Sequence, residues 1–141
     1  MPGSATDYLR QRVLSHTLSY GAYVMPAGTY IALVTTLPSA TTPGIEVSTA
    51  GTGYARQRGT FALVAGRTDL AATTVTIEYP PATIAWGAIG YFELWDAPTA
   101  GNRLYWGPLV DPTDGVTPIT KNVTTGDIVR LPATNVTVQA I

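Results

Sequence analysis

Glu78, Glu93 and Asp96 are the carboxylates nearest the richest aromatic stretch of the chain, AWGAIGYFELWDAPTAGNRLYWGPL (85–109), which holds all three tryptophans. Two carboxylates beside a stacking surface are the equipment of glycoside hydrolysis, one protonating the leaving oxygen and the other acting as base or nucleophile. That chemistry needs a cleft, and a chain of 141 residues has few to spare for one beyond its core. Sugar binding on Trp and Tyr faces asks for less and is the stronger reading. A Ser-His-Asp triad would need His16, the single histidine, as base, yet no serine lies in a Gly-x-Ser-x-Gly elbow. His16 shares a helical arc with Leu9 and Val13 and reads as a packed or hydrogen-bonded structural residue; without a second histidine or any cysteine it cannot complete a transition-metal site. DPTDG (111–115) offers two carboxylates but lacks the other ligands of a calcium loop, so it reads as a turn. No catalytic residue, metal or cofactor is expected, and the chain is not expected to be an enzyme.

The residues suited to contact rather than catalysis are Tyr54, Arg56, Arg58, Tyr91, Trp95 and Trp106. Tyr54, Arg56 and Arg58 alternate onto one strand face. There the guanidiniums either meet a cross-strand acid or grip an acidic partner surface bidentately. Tyr91, Trp95 and Trp106 either fill the core or stand outside as interface anchors, a role in which Trp and Tyr are over-represented. Asn122 and Asn135 each begin an Asn-Val-Thr sequon, which in a Thr-rich chain reads as chance.

The elements that would hold these residues are mostly strands. SATD (4–7) has the spacing of a helix cap with an acidic partner, predicting a helix of three to four turns in the segment 4–20. From Thr29 onward, short β-branched and aromatic runs alternate with Gly, Pro, Asn and Asp. TYIALVTT is apolar on both alternate sets, as a doubly covered strand would be. In TTVTIEY, Val75, Ile77 and Tyr79 are expected on a buried face. AIGYFELW and RLYWGPL, joined by DAPTAGN, make a hairpin with Ile89, Tyr91, Glu93 and Trp95 on one face and Gly90, Phe92 and Leu94 on the other. Glu93 amid aromatics would cost several kcal/mol if buried alone, so either its face is wet or an arginine such as Arg103 meets it. Residues 37–53, rich in Thr, Gly and Pro, cannot bury enough to hold themselves rigid and are expected to order on contact. Some eight strands after one helix predict an all-β, antiparallel two-sheet sandwich of jelly-roll type, a single domain over 1–141 with its sandwich at 29–141.

Charged residues make up 12% of the chain, about half the ~25% of ordinary soluble domains. Twenty-three threonines take up much of the difference. A surface so weakly charged puts little repulsion between copies, which suits life inside an assembly. The net charge of −1 and scattered Lys and Arg offer no groove for nucleic acid. No apolar run reaches the ~20 residues of a membrane span, and the N-terminus lacks the order of a signal peptide, so neither membrane contact nor export by that route is expected.

TDYLRQRVLSHTL leading to TYIALVTTLPS, EVSTAGTGYARQRGTF, WGAIGYFELWDAPTAGNRLYWGPL and VTTGDIVRLPATNVTV together resemble a family of small virion proteins of tailed bacteriophages, often labelled tail-fibre proteins. The sequence is similar in particular to the jelly-roll cement protein that decorates a Bordetella phage head. The resemblance runs nearly end to end; GPLVDPTDGVTPITKNV departs from the family pattern. It implies a non-enzymatic structural protein of the capsid exterior, made in the bacterial cytoplasm, binding the major capsid protein and paired with itself as a homodimer. A tail-fibre module that recognises host surface glycans through Trp and Tyr faces is the alternative, and an envelope-degrading enzyme is a weaker third.

Overall fold

In a computed structural model that describes residues 2–140, one helix and twelve short strands follow one another along the chain. They are β1 (Ser4–Ala5), α1 (Asp7–Thr17), β2 (Thr29–Val34), β3 (Gln57–Gly59), β4 (Phe61–Leu63), β5 (Leu70–Thr73) and β6 (Ile77–Glu78). After these come β7 (Gly87–Ile89), β8 (Tyr91–Trp95), β9 (Arg103–Pro108), β10 (Lys121–Val123), β11 (Arg130–Leu131) and β12 (Thr137–Gln139). Residues 1 and 141, which the single-domain expectation includes, lie outside the described residues.

The expected all-β sandwich is present. Its largest sheet has the order β1-β9-β8-β2-β3; β12-β5-β4 forms a second, and β10-β7 and β11-β6 are two-stranded. All pairs between these strands are antiparallel. The register sets Ile31 opposite Leu94 and Leu33 opposite Phe92, and these four enter the main core with Ile77, Tyr79, Leu109, Leu131 and Val136. Alternation alone accounts for that face, because residues two apart on a strand share a side.

Three local readings are corrected. The helix is capped by Thr6, not Ser4: the Thr6 hydroxyl accepts the Leu9 N–H at 3.3 Å, while Ser4 belongs to β1, paired with Trp106. Thr6 also donates to the Arg103 carbonyl at 2.7 Å, so one hydroxyl both starts the helix and ties it to the hairpin. Val75 is exposed although Ile77 and Tyr79 are buried, because β5 ends at Thr73 and β6 begins at Ile77. Ile89 sits in the core with Phe92 and Leu94 rather than with Tyr91, since the ladder breaks at Gly90 between β7 and β8.

The segment 37–53 is also better fixed than its composition suggests. Val47 and Thr52 are buried, and the Val47 N–H bonds to the Leu33 carbonyl at 3.1 Å. At its start the Ala40 carbonyl accepts from the Asp7 N–H at 3.0 Å. Further anchors are the Trp86 indole and the Thr83 N–H, both on the Thr52 carbonyl, and charged side chains of the hairpin.

Candidate functional site

β8 and β9 form the expected hairpin, and their register places Glu93 opposite Trp106 and Leu94 opposite Tyr105. An irregularity then intervenes between Leu94 and Trp95, after which Trp95 faces Arg103. Without it Trp95 would face Leu104 and Arg103 would be turned to the opposite side. A bulge that re-aims a side chain in this way also strengthens the local twist. Here it brings the Arg103 guanidinium to 3.3 Å from the Glu93 carboxylate. Glu93 also accepts from the Gly44 N–H at 2.9 Å and the Trp95 indole N–H at 3.3 Å, while Arg103 donates to the Ser39 carbonyl at 2.6 Å. Burial pushes the Glu93 carboxyl above its ordinary pKa, and the same burial lowers that of Arg103.

A second charged cluster lies beside the first. Arg56 grips Glu46 bidentately, Nε to Oε2 at 2.9 Å and Nη2 to Oε1 at 2.8 Å. Its remaining nitrogen donates to the Ala97 and Ala100 carbonyls in the hairpin turn, and its guanidinium lies 4.2 Å from the Trp95 ring centroid. Tyr54 donates to Glu46 at 2.7 Å and accepts the Leu33 N–H at 3.1 Å. Desolvation, followed by the Glu46 hydrogen bond, drives its phenol far up from 10.0.

The candidate contact residues therefore separate. Tyr54 is in the core, stacked on Tyr79 with centroids 6.0 Å apart and edge-on to Trp86 at 5.5 Å. Arg56 is turned inward onto Glu46. The side-by-side strand face expected for 54–58 does not form, because β3 begins only at Gln57. Arg58 is exposed and donates to the Ala27 carbonyl at 3.0 Å. Tyr91, Trp95 and Trp106 are half-buried, and the buried Trp106 indole nitrogen has no hydrogen-bond partner among the described residues. The third tryptophan, Trp86, is a core residue whose indole donates to the Thr52 carbonyl at 2.8 Å.

The acids weighed for catalysis all have structural duties. Glu78 pairs with Arg130 at 2.6 Å across β6 and β11, Glu93 holds Arg103, and Asp96 accepts from the backbone and side-chain N–H groups of Asn102. His16 is exposed and accepts the Tyr23 N–H at 3.1 Å through Nδ1, which folds the segment after α1 back onto the helix. Asp111 and Asp114 accept hydrogen bonds from Thr113, Val116 and Thr117, as turn formers do.

Between the first turn of α1, residues 40–43 and the hairpin turn lies a cleft of about 490 Å³, lined by Tyr8, Gln11, Thr41, Trp95, Asn102 and Arg103 among others. Sequence patterns did not single out Tyr8, Gln11 or Asn102. Tyr8 and Gln11 lie on α1 and Asn102 in the hairpin turn, and only the tertiary fold brings the two elements together. Glu46 carried a usable signal as the one acid in 37–53, set between Ile45 and Val47.

Residues 4–139 match the family described as Podophage GP4 fiber I protein gp80. The chain belongs to this fibre I family. Membership makes it a phage virion protein of structural or fibre type. The match does not extend to the narrower likeness with a Bordetella phage cement protein. No curated protein matches the chain. Among the described residues no helix is long and apolar enough to cross a membrane.

Proposed function

We propose that this chain is a fibre module of a podophage virion, working by adhesion between copies and to its attachment surface and not by catalysis. The observation that carries the proposal is an exposed apolar segment following α1. Leu18, Tyr20, Val24 and Met25 are 63%, 67%, 82% and 84% exposed, with Leu14 beside them on the helix. A monomer of ordinary solubility keeps such side chains scattered; a run of them marks a protein contact. A second copy is the partner we assign to this segment, since a surface with so few charges opposes self-association weakly. The name of the family supports a fibre over a head decoration.

Two measurements test this. The first is copy number, read from the ratio of this protein to the major coat protein on a stained gel of purified virions, with antibody labelling of intact particles. A few copies per particle at the tail end fit a fibre. Hundreds spread over the head would overturn it in favour of a cement protein bound to the major capsid protein. The second is sedimentation of Val24→Asp/Met25→Asp, which should shift the wild-type oligomer to monomer; an unchanged oligomer would remove the assigned contact.

A further inference from the structure

The cleft beside the hairpin has a construction that the adhesive role alone does not require. We propose that it binds a neutral carbohydrate, with Trp95 as the platform for one sugar face and Gln11, Asn102 and Tyr8 as hydroxyl partners. This deepens the fibre reading and takes its biological setting from it.

Four observations converge. The volume, about 490 Å³, lies within the ~300–1,000 Å³ of small-molecule sites. Trp95 is locked before any ligand arrives, with its indole N–H on Glu93 at 3.3 Å and the Arg56 guanidinium 4.2 Å from its ring centroid. A ring already fixed costs little further ordering on binding, and its apolar surface suits the C–H face of a pyranose. Polar groups around it are unspent: among the described residues the Gln11 amide, the Tyr8 hydroxyl and the Asn102 side-chain carbonyl make no hydrogen bond. Together they offer both donors and acceptors, which a ring of hydroxyls needs.

The charges, in contrast, are used up. Asp7 pairs with Arg10 at 3.1 Å, and Arg103 is committed to Glu93 and Ser39. At the helix start the Leu9 N–H is taken by Thr6 and the Asp7 N–H by Ala40, while among the described residues the Tyr8 N–H stays open to a ligand hydroxyl. Arg103, the one cationic side chain lining the cleft, is thus committed, so the ligand chemistry is that of a neutral polyol.

The test uses the purified chain. It is applied to an array of bacterial surface polysaccharides, and the soluble oligosaccharide of each bound spot is titrated into isotope-labelled protein. The Trp95 indole resonance should move while that of Trp86, buried on Thr52, stays still. Gln11→Ala, at an exposed helix position, should keep the melting temperature and weaken binding about three- to tenfold. Trp95→Phe should weaken it less than Trp95→Ala, with both checked for folding by circular dichroism. A silent array overturns the proposal, as does binding confined to acidic polymers and abolished by salt, or binding indifferent to Gln11→Ala. Sugar binding through these residues by a protein found on the head would sink the fibre reading alone; a tail location with a silent array would sink the cleft alone.

Discussion

The Glu93 and Arg103 side chains meet diagonally across the hairpin at 3.3 Å with exposures of 1% and 7%, and it is the bulge between Leu94 and Trp95 that brings them together. The pair is more than a neutralised charge. Its free valences reach out to Gly44 and Ser39, so segment 37–53 is clamped onto the sheet by groups that could not be buried without it. Burying both ions is expensive, and the geometry repays it only while both are present.

Arg103→Leu should therefore destabilise the fold by about 3 kcal/mol, because it strands a buried carboxylate and frees the Ser39 carbonyl. Urea denaturation measures it. A loss under 1 kcal/mol would mean that the pair is dispensable.

The hairpin and its turn were legible in the sequence because alternation and turn chemistry are local signals; the Glu93–Arg103 pairing was one of two alternatives, and the bulge that realises it has no periodic signature. Tyr54, Arg56 and Arg58 show where that legibility ends. Their spacing implied a shared strand face, but Tyr54 is drawn into the core by Tyr79, Trp86 and the Leu33 N–H that its hydroxyl accepts, and Arg56 by an acid ten residues upstream. Neither attraction leaves a periodic trace. The same holds for 37–53, whose composition gives no sign that Gly44 and Ser39 will meet hairpin charges. The cleft was illegible for a related reason: Gln11 and Asn102 are unremarkable surface residues until tertiary folding sets them around Trp95.

Tyr54→Phe should cost about 2 kcal/mol, since it leaves the buried Leu33 N–H without its acceptor while keeping the ring stack. Arg58→Ala, on the exposed side of β3, should stay within about 0.5 kcal/mol. Equal effects in thermal melts would show that the inward and outward placement of these residues is wrong.

Stability should bend with pH in two places of opposite sign. Burial raises the Glu93 pKa in the folded chain, outweighing the pull of the Gly44 N–H and of Arg103. Above the ordinary value of 4.5 the unfolded chain releases this proton while the folded chain keeps it, so stability falls as pH rises toward the raised pKa and levels off beyond it. Asp114 is the reverse case. The Thr117 hydroxyl, then the Val116 and Thr117 N–H groups, lower it from 3.8 to about 2, so the stability it contributes is present above 3.8 and is lost as pH falls toward 2. Melting temperatures across pH should show Glu93→Gln flattening the upper slope alone and Asp114→Asn the lower alone; a variant that alters the other window would refute its assignment.

Gly101 sets the turn that carries Asn102 into the cleft. Its φ of +84° follows Ala100 at +52°, and a β-carbon there would meet Asp96 Oδ1 at 2.5 Å and the Ala97 β-carbon at 2.8 Å. Gly101→Ala should thus cost about 1–2 kcal/mol from backbone conformation alone. It should also push Asp96 off the Asn102 N–H, which it holds at 2.7 Å, and disturb the Ala97 and Ala100 carbonyls that anchor Arg56 beneath Trp95. The expected signature is coupled: a lower melting temperature together with shifted Trp95 and Arg56 resonances, while Trp86 in the core is unmoved. A melting temperature equal to wild type would show that the turn accommodates a side chain at 101 and does not hold the hairpin end in place.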